Sequence, residues 1–150
     1  MEKSIEEESR RLESIFGVKA ENPESYSPLT LAYLGDAVYE LLVRTLVVEE
    51  SNAPGYKRSK RSSRLVNAGT QARMIRAIEP LLTKKEEKIY KRGRNAKTNS
   101  MAKHATVTDY HMATGFESLM GYLYLAGEFD RMMDLVAAGF SAIKEQEGNL

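Results

Sequence analysis

The sequence predicts an all-α protein of one domain, on three observations. Apolar residues recur at helical spacing in every long segment, and no run shows the strict alternation of a half-buried strand. Capping residues and breakers divide the chain into about five to seven helical pieces. The length of 150 residues suits a single core and leaves no room for a second domain with a linker.

Residues 1–25 are charged, with a short amphipathic hint in Ile5, Leu12, Ile15 and Phe16, and they end at Asn22-Pro23, which disfavours a continuing helix. They read as a peripheral arm, with the folded domain spanning 26–150. Ser27 caps the next helix and Pro28 fills its first position, so Leu29 to Val48 forms the longest helix. After the turn signal Asn52-Ala53-Pro54-Gly55, a helix is expected within 57–82, ending near Pro80. Thr83 with Glu86 and Glu87 opens a short helix that should stop at Gly93. Residues 94–107 are polar and aperiodic and read as a loop. Thr108 or Asp109 then caps a helix carrying Met112, Phe116, Leu119 and Leu123 to about Gly127, and a last helix runs from Glu128 to about Glu145.

The absence of cysteine excludes a disulfide scaffold, a thiol nucleophile and a thiolate zinc site, and it fits a reducing, cytoplasmic setting. No stretch approaches the roughly 18 apolar residues of a membrane span, and the acidic N-terminal segment does not read as an export signal. With no cysteine and no paired-histidine spacing, His104 and His111 read as ordinary loop and helix residues.

The near-neutral total conceals a segregated charge. Residues 56–97 hold fourteen bases against three acids, while the segments on either side are acidic overall. Clustered Lys and Arg release counterions from a phosphate backbone, so this segment predicts a polyanion partner. Lys57, Arg58, Lys60, Arg61 and Arg64 begin one helix, and Lys91, Arg92, Arg94 and Lys97 flank Gly93. Few aromatics are interleaved with them, which favours reading duplex shape over stacking on single-stranded bases.

Two acids stand apart from the surface charge. On a helical wheel of Leu29 to Val48, Leu34, Val38, Leu41 and Leu42 lie on one side, while Leu29, Val43 and Val47 surround Asp36 on the other. The wheel predicts a central helix buried nearly all round, where Asp36 requires a partner or a metal. Gly35 beside it admits a close neighbour. Glu117 shares its helix face with Ala113, Thr114, Gly121 and Tyr124, mostly small residues that let another helix or a ligand approach. Glu40, one turn beyond Asp36, is a candidate third oxygen.

The stretches LAYLGDAVYE, 31–40, and TGFESLMGYLYL, 114–125, resemble the two acidic helices of the ribonuclease III domain. The basic run KRGRNAK, 91–97, resembles the loop of the Mini-III branch, whose members are bare catalytic domains. The resemblance covers about 26–145 and implies a single ribonuclease III-like endonuclease domain. It further implies a bacterial homodimer that cuts double-stranded RNA with Mg²⁺, or Mn²⁺ in its place, leaving 5′-phosphate ends, with large-subunit (23S) ribosomal RNA precursor as target. Asp36 and Glu117 are then catalytic and metal-binding, with Glu40 as a further metal candidate. The nine bases named above become RNA contacts. Two positions depart from the larger enzymes, which place a glutamate where Ala32 stands and an aspartate where Thr114 stands. That reduced acid set supports an alternative, a non-catalytic RNA-binding scaffold in ribosome assembly.

Overall fold

Capping chemistry sets the helix boundaries in the computed structural model, which describes residues 2–52, 54–97 and 106–147, with side chains from residue 7 onward. Helix α1 spans Glu2–Phe16, and a 3-10 turn, Pro23–Ser25, leads to α2, Pro28–Glu50. Ser27 caps α2 by accepting from the Thr30 N–H, with Pro28 behind it as expected. Then follow α3 (Gly55–Val66), α4 (Ala68–Ile78), a 3-10 turn (Glu79–Leu81), α5 (Lys84–Arg94), α6 (Val107–Leu125) and α7 (Phe129–Glu147). All regular elements among the described residues are helical.

The segment expected to be one helix within 57–82 is two. Asn67 breaks it: the side-chain amide donates to the Ser63 and Arg64 carbonyls, while its oxygen accepts from the Thr70 N–H. One residue thus ends α3 and caps α4, the competition with the backbone that makes Asn a boundary residue. The apolar period continues across the break because both helices face the same core, so periodicity alone did not show it.

Two further boundaries differ from expectation. Helix α5 does not stop at Gly93 but runs to Arg94, and Gly93 is buried within it against Ser118 and Gly115 of α6. A Cβ there would lie 2.9 Å from the Gly115 Cα, so this glycine serves close packing rather than termination. Helix α6 is capped by Thr106, which accepts from the Asp109 N–H at 3.0 Å, ahead of the expected Thr108 or Asp109. Asp109 instead pairs with Arg76 of α4 at 3.1 Å. Residues 98–105 of the expected loop, His104 included, lie outside the described residues. The Thr83–Glu86 capping box and the stop at Gly127, with φ of 73°, are as expected.

The largest difference concerns which helix is central. Helix α6 is buried nearly all round, from Ala113 to Leu123, and packs against α2, α4, α5 and α7. Helix α2 buries only Leu31, Ala32, Gly35, Tyr39, Val43 and Val47. Its opposite side leaves Tyr33 84% exposed and Leu41 67% exposed, and Asp36 lies in the open as well. Apolar content misled the wheel, because composition alone does not say which apolar residues the fold leaves exposed. Tyr39 joins α2 to the centre: its ring meets Phe116 edge to face at 5.1 Å, and its hydroxyl donates to the Leu65 carbonyl at 2.7 Å.

Candidate active site

Two glycines bring the acidic helices together. A Cβ on Gly35 would fall on the Glu117 carbonyl oxygen and lie 2.7 Å from the Gly121 nitrogen, and one on Gly121 would overlap the Leu31 carbonyl. Backbone therefore meets backbone between α2 and α6, a separation that only glycine permits. Asp36 follows Gly35 directly, and Glu117 sits one turn before Gly121. Their side chains leave the contact on the same side.

The result is two carboxyls within hydrogen-bonding reach of each other. Burial pushes Glu117 up to about 8, reinforced by the hydrogen bond and the negative charge of Asp36, while the Gln71 amide pulls the other way. Near neutral pH Glu117 therefore retains its proton, because a buried carboxylate loses its hydration and is repelled by the charge of Asp36 beside it. Among the described residues no histidine joins the two carboxylates, and two such oxygen donors form a set suited to a hard divalent cation such as Mg²⁺ or Mn²⁺.

Glu40 is not drawn into this pair. It accepts from Arg44 at 2.8 Å and lines a groove between α2 and α3 with Val47, Arg58 and Ser62. Among the described residues no three acidic or histidine side chains form a metal-holding group.

The basic residues divide into two kinds. On α3, Lys57, Lys60 and Arg64 are exposed, whereas Arg61 is bound by both Glu50 oxygens, at 3.0 and 3.2 Å, and ties α3 to α2. Arg58 is half-buried in the α2–α3 groove. On α5, Arg92 donates to the Glu24 and Tyr26 carbonyls, fastening the segment before α2. Lys91 pairs with Glu87, and Arg94 lies 5.6 Å from the centre of the Tyr90 ring. Lys97 is exposed. Lys84, Lys85 and Lys88, which the sequence reading passed over, extend the basic face of α5, although Lys85 is paired with Glu24 at 2.6 Å.

With this arrangement in view, comparison with known proteins is decisive. A profile of the ribonuclease III domain matches residues 29–128, which include both acids and the glycines between them. A Mini-ribonuclease 3 of Thermoanaerobacter is 45% identical over 121 residues, 81% of this chain and 85% of that one. A Mini-ribonuclease 3 of Clostridium tetani is 41% identical over 124 residues, 82% of each chain. The chain belongs to the ribonuclease III family. By class it is an endoribonuclease. A crystal structure of a Fusobacterium nucleatum protein has the same fold, with a TM-score of 0.73 and 28% identity, over 85% of this chain and 99% of that one.

Set against the larger ribonuclease III enzymes, the two departing positions have a structural account. Ala32 is buried on the α2 face that packs inward, and the Thr114 hydroxyl donates to the Tyr110 carbonyl of its own helix at 3.0 Å. Neither offers an oxygen to the Asp36–Glu117 pair. Gln71 does reach the pair and was missed in the sequence. Its signal was there to read, since it lies three and four residues before Met74 and Ile75 and so shares the apolar face of its helix.

Proposed function

We propose that this ribonuclease III relative cleaves double-stranded RNA as a Mg²⁺-dependent homodimer, with Mn²⁺ able to substitute, and leaves 5′-phosphate ends. The observation that carries this is the carboxyl pair, Asp36 open to solvent and Glu117 half-buried behind it. These two side chains would hold the cation. When bound, Mg²⁺ supplies activation of the attacking water and stabilisation of the leaving 3′-oxygen.

The chain's own residues do the rest. The α2–α6 backbone contact sets the separation of the two acids, and Glu117 would hold a cation in its deprotonated form. Exposed Lys57, Lys60 and Arg64 on α3 and Lys97 beyond α5 are placed to neutralise phosphates, with Lys91 and Arg94 beside them. Residues 26–150 form the catalytic domain in this reading, and 1–25 an arm outside it.

The dimer is supported by α2. Leu29 and Tyr33 precede Asp36 by seven and three residues and so share its exposed face, and large apolar side chains in a row on an open surface mark an interface. A second copy on that face also accounts for the apolar composition that made α2 read as core. The named relatives are Mini-ribonuclease 3 proteins of bacteria; in this reading the protein acts in the cytoplasm in ribosomal RNA maturation, with large-subunit (23S) precursor as substrate. No described helix is long and apolar enough to cross a membrane.

The test is incubation with long duplex RNA, matched single-stranded RNA and duplex DNA, in Mg²⁺, Mn²⁺ or EDTA, beside Asp36→Asn and Glu117→Gln. Cleavage confined to duplex RNA, dependent on metal and lost in both variants is expected. Duplex RNA bound but uncut in both metals would overturn the catalytic reading in favour of an RNA-binding scaffold.

A further inference from the structure

Gln71 is 2% exposed on α4, in a core that Met74, Ile75 and Ile78 fill from the same helix. A polar side chain there needs a reason, because burying an amide costs free energy that an apolar residue of the same shape avoids. Its Nε2 donates to the Val66 carbonyl, the last of α3, at 2.8 Å. That bond orients the amide, since the reversed rotamer would set two carbonyl oxygens against each other. The same amide lies beside the Glu117 carboxyl and favours its charged form, as an N–H facing a carboxylate does. The Gln71 Oε1 is buried and has no hydrogen-bond partner among the described residues.

We infer that Gln71 is a positioning residue of the active site: its amide, fixed by the Val66 carbonyl, steadies Glu117 in the orientation that receives the cation, and its carbonyl oxygen accepts from a water of the occupied site. Three helices are thereby joined at one carboxylate. Helix α2 brings Asp36, α6 brings Glu117, and the α3–α4 junction steadies Glu117 through Gln71. The unpaired Oε1 separates this role from a structural one, because a residue kept only for packing gains nothing from an orphaned acceptor. Partners behind a metal ligand characteristically tune affinity in this way.

The inference rests on the metal reading above, and its test separates the two. Mn²⁺ binding to the intact protein without RNA is measured by electron paramagnetic resonance for wild type, Asp36→Asn, Gln71→Met, Gln71→Asn and, as a control for general destabilisation, Tyr39→Phe. Met keeps the length of Gln without its polar groups, and Asn keeps the groups one methylene short of reaching both partners. The expected result is a dissociation constant raised about 10- to 100-fold in both Gln71 variants, the range typical of residues behind a metal ligand. Tyr39→Phe should stay within twofold of wild type. Duplex-RNA affinity in EDTA should be unchanged in the Gln71 variants, and kcat should fall with KM steady. Mn²⁺ affinity within twofold of wild type in a folded Gln71 variant, alongside a clear loss in Asp36→Asn, would overturn the role of Gln71 alone. Loss of folding in both Gln71 variants would also overturn it, leaving Gln71 a purely structural residue. No difference between wild type and Asp36→Asn would remove the metal reading and this inference together.

Discussion

Replacing Asp36 by asparagine removes one negative charge from beside Glu117 while keeping the shape of the side chain. In metal-free protein this change should raise stability at alkaline pH, even as it abolishes cleavage. Glu117 is raised from 4.5 to about 8, by burial first and by Asp36 second. A carboxyl raised on folding binds its proton more tightly in the native chain. Its favourable contribution is therefore complete below 4.5 and is lost as pH rises from there to about 8. Two unit charges about 4 Å apart at an effective dielectric of about 20 repel by ~4 kcal/mol. Asp36 is exposed, so solvent screening reduces this to about 1–2 kcal/mol. At roughly 2–4 °C per kcal/mol for a chain of this size, Asp36→Asn in EDTA should melt about 2–8 °C above wild type near pH 9. The gap should close near pH 5, where Glu117 carries its proton and meets no charge repulsion from residue 36. Adding Mg²⁺ at saturating concentration should reverse the order, because only the wild type gains the binding free energy. Thermal melts followed by circular dichroism at matched protein concentration read all three conditions. A variant that melts below wild type at pH 9 in EDTA, or a difference that stays flat from pH 5 to 9, would refute the coupling of the two carboxyls.

Three other expectations follow from particular contacts. Gly35→Ala places a Cβ against the Glu117 backbone and should cost at least ~3 kcal/mol or prevent folding; an unchanged urea midpoint would show that α2 and α6 do not meet backbone to backbone. Glu86 takes two hydrogen bonds from Arg131 at 2.9 Å, and although burial pushes its carboxyl up, Arg131 and Thr83 outweigh it and hold the group below 4.5. A lowered carboxyl stabilises above its unfolded value and loses that as pH falls through the folded one, so Glu86→Gln should cost about 1–3 kcal/mol at neutral pH. That cost should shrink in acid, and a penalty that acid denaturation series show to be constant would contradict the pairing. Finally, Lys60→Ala and Lys97→Ala should each lower the slope of log affinity against log salt for duplex RNA by about one, whereas Arg61→Ala should lower the melting temperature and leave the slope alone. Equal slopes in all three would erase the distinction between the exposed bases and the one tied to Glu50.

Local chemistry was legible wherever a residue acts through its neighbours in sequence. Ser27-Pro28, the Thr83–Glu86 capping box and Gly127 each announce their boundary because the groups they satisfy lie within four residues. The all-helical class, the segregated charge of 56–97 and the two exceptional acids were likewise open to inspection in the sequence. What failed was inference across space. Asn67 divided a continuous apolar period, since periodicity records which face is buried and not whether the backbone is unbroken. Gly93 read as a stop because a terminating glycine and a close-packed one look alike until the helix opposite is known.

The acid pair shows where the division lies. Sequence by itself determined that Asp36 and Glu117 were carboxylates on apolar helices, each with a small residue or glycine at hand. Only the tertiary structure decided that Gly35 and Gly121 meet, that Asp36 and burial therefore raise Glu117, that Glu40 turns to Arg44, and that Gln71 lies beside the pair. The same holds for burial. An apolar face is written in the residues, but whether that face meets its own core, as on α6, or remains exposed in the single chain, as on α2, depends on the other helices that compete for the same interior.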